Sequence, residues 1–173
     1  MDNMASVIQD IYVDTCYFEG YLWGRKDERE NAKSLFAKLA STVRRHPEIK
    51  IKVPFIVVGE LINNLVRDGF DALRREDISH NFFEKVFELD ADIIPPPSDC
   101  YYRAKYFIKH DPRLIKNSPT DCFIALCALC DPDSAHLLTD DKSMLESSSL
   151  KKIEKEMREN GERNRELKFS QEF

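Results

Sequence analysis

No stretch of the 173-residue chain stays apolar for the ~18 residues that a membrane helix needs, because charges interrupt every such run. The opening residues, MDNMASVIQDIYVD, lack a basic leader and an unbroken apolar core. No secretory signal is therefore expected, and the cytoplasm is the expected location. Cysteine is scarce and odd in number, five in all, which argues against a closed disulfide framework. Cys127 and Cys130 form a CxxC pair, but inside DCFIALCALC, which reads as a buried helix. No second pair and no spaced histidines complete a zinc set, so these thiols read as small packing groups. His46, His80, His110 and His136 are scattered and read as surface or packing residues. Positive charge is not in excess: 26 Lys and Arg against 31 Asp and Glu leave a net charge of −5. That excludes a protein covered in phosphate-binding surface. It does not exclude a nucleic-acid enzyme, since metal-binding carboxylates themselves add negative formal charge.

What is present is a soluble globular composition, 42% hydrophobic and 33% charged, in a length that suits one domain. Internal repeats and low-complexity linkers are lacking. VIQDIYV (7–13) ends in a β-prone segment, and TCYFEGYLWG reads as a short helix or ordered turn. Asp27 and Glu30 suggest a capping box for a helix whose apolar face is Ala32, Leu35, Phe36, Leu39, Ala40 and Val43. EIKIKVPF alternates as a strand that Pro54 ends, and FIVVGELINNLVRDG follows as a helix closing at Gly69. A helix is expected over 79–90, then a very short strand, ADIIPPP, and a helix capped by Ser98. Ser118 and Pro119 open the helix of SPTDCFIALCALC. HLLT is the next strand, KSMLESSSLKKIEKEMRE is helix-prone, NG at 160–161 is a turn, and ELKF is a candidate last strand. Alternating strands and helices favour an α/β fold, a mostly parallel sheet covered on both faces.

In such a sheet, sites form beyond the carboxyl ends of the strands, where strand order reverses. Asp14 follows the first strand, and Asp140 and Asp141 follow HLLT. Glu60 lies one turn into the helix after the second strand, and Asp121 lies in the first turn of its helix. Each acid alone has an ordinary reading. Asp121 can serve its helix dipole, Glu60 can be solvated, and the others can form turns. Together, four segments can deliver carboxylates to one sheet edge. Carboxylates crowded in a partly desolvated cleft repel one another and call for a cation, and oxygen donors of this kind suit Mg²⁺. Paired ions about 4 Å apart are the known means by which such sites hydrolyse phosphodiesters.

YVDTCYF, FIVVGEL, SPTDCFIAL and LLTDD, in that order, resemble the PIN-domain ribonuclease pattern. The resemblance implies a three-layer α-β-α sandwich around a sheet of about five strands, with residues 1–150 as the catalytic domain. The charged stretch 151–173 would complete the same domain. It further implies that Asp14, Glu60, Asp121 and Asp141 are the catalytic, metal-ligating residues for Mg²⁺ or Mn²⁺, with Asp140 the alternative to Asp141. Where the family often has Asn after the hydroxylated residue, this chain has Cys16; where it often has a further acid, this chain has Ser143.

The resemblance points to an endoribonuclease acting on RNA, as in toxins of toxin–antitoxin pairs, with a small antitoxin protein and a second copy of the chain as partners. The apolar groups at 17–23 or 82–89 are candidates for a dimer patch. The alternatives are an RNA-processing factor of the ribosomal RNA maturation type, a non-catalytic RNA-binding scaffold, and a flap-type DNA nuclease on the same fold. Thr139 and Lys142 are candidate substrate contacts. Two basic groups, Arg44, Arg45, Lys50 and Lys52, and Arg103, Lys105 and Lys109, are weaker candidates for phosphate binding. Tyr17, Phe18, Tyr21 and Trp23 suit packing better than base stacking.

Overall fold

The computed structural model describes residues 9–100, 102–105 and 119–173. The helix capped by Ser98 and the N-cap role of Ser118 fall wholly or partly outside these residues. In chain order the described elements are β1 (Gln9–Val13), α1 (Thr15–Trp23), α2 (Lys26–Arg45), β2 (Ile49–Pro54), α3 (Phe55–Arg67) and α4 (Ala72–Glu88). They continue with β3 (Ala91–Ile94), α5 (Pro119–Cys130), β4 (Ser134–Leu138), α6 (Lys142–Leu145), α7 (Ser148–Glu159) and β5 (Lys168–Ser170). The fold is α/β, a three-layer sandwich around five parallel strands in the order β3-β2-β1-β4-β5. Tyr12 is in register with Lys52 of β2 on one side and Leu137 of β4 on the other.

The central strands are apolar on both faces because helices cover both. Ile11, Val13, Ile51, Val53, Leu137 and Leu138 are all buried. Burial of this kind contributes about 1.5–3 kcal/mol per large aliphatic side chain relative to exposure. Helix α2 turns Ala32, Leu35, Phe36 and Leu39 inward, at the spacing its sequence announces, while Ala40 and Val43 sit at the edge. Phe18 of α1 packs on Phe36 and Phe82, Tyr21 on Phe36, and Trp23 on Phe70. The aromatic group after Asp14 is therefore core, and of the expected dimer patches only α4 leaves rings outside, at Phe83 and Phe87.

Several boundaries differ from expectation for local reasons. Helix α2 begins at Lys26, and it is Glu28, not Glu30, whose carboxylate accepts the Arg25 backbone N–H at 2.7 Å. Helix α4 begins at Ala72, seven residues before the expected start, because the Asp71 carboxylate accepts the Arg74 N–H and caps it. The helix-prone run after β4 is two helices, since Ser147 caps α7 through Leu150 N–H at 3.1 Å.

Strand β5 pairs with β4, and the fully sequestered Arg163 donates to the carbonyls of Ala128, Leu129, Asp131 and Ser134 at 2.6–3.0 Å. That guanidinium satisfies carbonyls at the end of α5 that the helix leaves unpaired. Lys52 is likewise structural. Its ammonium lies 2.5 Å from Asp10 and 2.7 Å from Asp131, and Tyr12 donates to the same Asp131 oxygen at 2.8 Å. Arg103 pairs with Glu162, and Lys109 lies outside the described residues. Neither basic cluster is thus a free phosphate-binding surface as a whole. No described helix is long and apolar enough to cross a membrane.

Candidate metal centre

Strand order reverses between β1 and β4, so the loops leaving these two strands diverge and open a crevice at their carboxyl ends. Asp14 occupies the exit of β1 and Thr139 the exit of β4. The Asp14 N–H donates to the Leu138 carbonyl at 3.0 Å, so the strand ladder itself sets where this carboxylate stands. Asp14 also caps α1, with one oxygen accepting the Thr15 N–H at 2.7 Å. Its other oxygen accepts from Thr139 Oγ1 at 2.6 Å and from the Cys16 thiol at 3.4 Å. Cys16 in turn accepts the Asp140 N–H at 3.3 Å, so the thiol braces the two strand exits.

Glu60 is delivered by α3 and held by Thr15, whose hydroxyl donates to Oε2 at 2.6 Å. One turn on, Asn64 donates to Glu19, which lies four residues after Thr15. Two rungs thus join α1 to α3: Thr15 with Glu60, and Glu19 with Asn64. Asp121 enters from the first turn of α5 and is buried. Ligand oxygens of Asp14, Glu60 and Asp121 all lie within 4.8 Å of one another.

Asp141 stands beside this trio. It caps α6 through Ser143 and Met144 N–H groups and shares a side-chain hydrogen bond with Asp121. Burial pushes its carboxyl up, but the bonds from Ser143, Asp121 and Met144 outweigh this and hold it below the usual range. Asp140 is exposed and is engaged by Gln171. Thr139 is fully buried, its hydroxyl donating to Asp14 and accepting the Asp141 N–H at 3.0 Å, so it orients carboxylates and does not face solvent. Lys142 is exposed at the start of α6.

Asp14 is pushed up to about 6, first by burial and further by the charge of Glu60; the bonds from Thr139, Thr15 and Cys16 oppose the rise. A carboxylate so deprived of water is stabilised by a bound cation, and three converging oxygens suit a hard divalent ion. The donor set therefore fits Mg²⁺ or Mn²⁺, with Asp14, Glu60 and Asp121 as the residues that would hold it. Sequence reasoning singled out these acids but missed Glu19 and Asn64. Their signal was the four-residue helical step from Thr15 and from Glu60, which gains meaning only once α1 and α3 are neighbours.

A parallel α/β sandwich with an acidic cluster at its switch point is the class that fold and site define. No protein-family model matches the chain. No curated protein matches it in sequence either. Among solved structures, it is similar to a chain of VapBC2 from Rickettsia felis bound to a DNA fragment from their promoter. The superposition covers 92% of this chain and 98% of that one, with a TM-score of 0.55 and 13% identity. The likeness is one of fold.

Proposed function

We propose that the protein is an endoribonuclease that hydrolyses RNA phosphodiester bonds at the acidic centre, with Mg²⁺ or Mn²⁺ as cofactor. The observation that carries this reading is the convergence of Asp14, Glu60 and Asp121 oxygens within 4.8 Å at the switch point. The bound ion would supply Lewis-acid stabilisation of the phosphate and a water acidic enough to attack at neutral pH. Asp14, Glu60 and Asp121 hold that ion in this reading. Asp141 is the fourth acid, through its contact with Asp121, in preference to Asp140. Thr15 and Thr139 fix the orientation of Glu60 and Asp14, and such supporting bonds commonly set metal affinity. Lys142, exposed beside the acids, is a candidate phosphate contact.

A toxin role in a toxin–antitoxin pair, with a small antitoxin protein as partner, is the setting we favour. The PIN-type motifs and the likeness to a chain of VapBC2 support it. A homodimer would use the α4 face that leaves Phe83 and Phe87 exposed. The presence of all the acids weighs against a non-catalytic scaffold. Incubation of the pure protein with labelled RNA in Mn²⁺, Mg²⁺ or EDTA tests the reading, with structured DNA as a parallel substrate. Cleavage in either ion, absent in EDTA and lost in Asp14→Asn, is expected. No cleavage with either ion sinks the nuclease reading, and preference for structured DNA replaces it with a flap-type activity.

A further inference from the structure

A cleft with a cavity of about 430 Å³ opens beside the acidic centre, between α3 and the first turn of α5. Its size lies within the roughly 300–1,000 Å³ of ligand sites. Glu60 stands at its edge, and Gly59, Asn63 and Arg67 form its α3 wall at four-residue spacing, hence on one helix face. Pro119 and Thr120 form the opposite wall.

Gly59 is the telling residue. It sits inside a 13-residue helix, where glycine is less favourable than alanine by roughly 0.5–1 kcal/mol. Among the described residues, a methyl group at this position would meet nothing within 4 Å, and the backbone there shows no positive φ. A bare helix backbone thus faces open cleft next to a candidate metal ligand. The described residues leave it unfilled, which suits a ligand that approaches the backbone closely.

Arg67 supplies the matching charge. It is exposed, and its Nε engages Asp68 at 3.1 Å in a solvent-screened pair that a ligand can displace. At 1.5 Å rise per residue it lies about 10 Å along the helix from Glu60, beyond one nucleotide and short of two along an extended strand. Its guanidinium suits a phosphate oxygen pair, and Asn63 offers an amide between the two ends.

We infer that this cleft is a binding track for single-stranded nucleic acid flanking the cleavage point, with Arg67 on a phosphate and the strand lying against Gly59. The inference rests on the ribonuclease reading for its substrate, but it can be tested without cleavage.

The test is fluorescence anisotropy with a fluorescein-labelled single-stranded RNA 12-mer of mixed sequence in EDTA, over a range of NaCl concentrations, with melting temperatures for each variant. Loss of one phosphate contact lowers the slope of log affinity against log salt by about 0.7 for a single strand. Arg67→Gln is expected to show that drop with its melting temperature unchanged, and Arg67→Lys to restore the slope. Gly59→Ala is expected to melt about 2–4 °C higher, as a favoured helix residue should, yet to bind RNA about tenfold more weakly. An unchanged slope in Arg67→Gln, or unchanged affinity in Gly59→Ala, overturns the track. Because binding is read without metal, that failure is distinct from failure of Mn²⁺- or Mg²⁺-dependent cleavage, which would overturn the nuclease reading alone.

Discussion

Thr139 Oγ1 donates to Asp14 at 2.6 Å while accepting the Asp141 N–H at 3.0 Å, so one hydroxyl spans the two strand exits. Thr139→Val keeps the shape but leaves a fully buried carboxylate oxygen short of a donor. The expected cost is about 1–3 kcal/mol of stability and a roughly 10–100-fold loss of Mn²⁺ affinity. Chemical denaturation and calorimetric Mn²⁺ titration read the two effects. Thr139→Ser, which retains the hydroxyl, should recover most of the metal affinity; equal loss in both variants would rule out this role.

Asp14 yields a pH prediction. Its carboxyl is held at about 6 by burial, above the ordinary value of 3.8. Proton binding therefore favours the folded state. The contribution is complete below about 3.8 and is lost as pH rises through 6, leaving a penalty of about 3 kcal/mol at pH 7 in the metal-free protein. In EDTA at pH 7, Asp14→Asn should be more stable than wild type, and the gap should narrow to about half by pH 5. Saturating Mn²⁺ should reverse the order at pH 7. Denaturation midpoints at the two pH values, with and without metal, check each sign.

Lys52 belonged to a basic cluster that the sequence offered for phosphate binding, yet its ammonium neutralises Asp10 and Asp131 inside the fold. Lys52→Met should strand two nearly buried carboxylates and cost roughly 3 kcal/mol or more. Metal affinity per folded molecule should stay near that of wild type. A large loss of affinity for the RNA 12-mer, without loss of stability, would instead return Lys52 to substrate contact.

Arg163 bonds carbonyls from the end of α5 and the start of β4. Arg163→Met should leave several carbonyls unpaired and lower stability by roughly 3 kcal/mol, or about 6–12 °C in melting temperature. Thermal melting in EDTA measures this directly, and a shift below 2 °C would show that water replaces the guanidinium.

Much of the architecture was legible because local chemistry and burial agree. The apolar run before Asp14, the alternating IKIKV and the short ADII all became strands. The period in α2 foretold its buried face. What was misplaced turned on single polar groups competing to cap a helix: Asp71 over a later start for α4, and Ser147 dividing one helical run into two. The three converging acids were visible as separate strand exits and helix starts. Their supporting residues were not. Glu19 and Asn64 look like solvated helix positions until the packing of α1 on α3 turns them toward each other. The structural role of Lys52 was not legible, because a lysine between strand residues shows no sign of carboxylates that lie 42 and 79 residues away.

The bond between Thr139 and Asp14 joins positions 125 residues apart, and β1 has β4 as a neighbour in the sheet. During synthesis, the first strand must therefore wait for Ser134–Leu138 before its second edge is covered. Contacts of such long sequence separation form slowly, since loop closure must precede them. A nascent chain still lacking β4 has Asp14 and Glu60 but not the brace that aligns them. The acids are thus aligned only once β4 is in place, however early Asp14 and Glu60 are made.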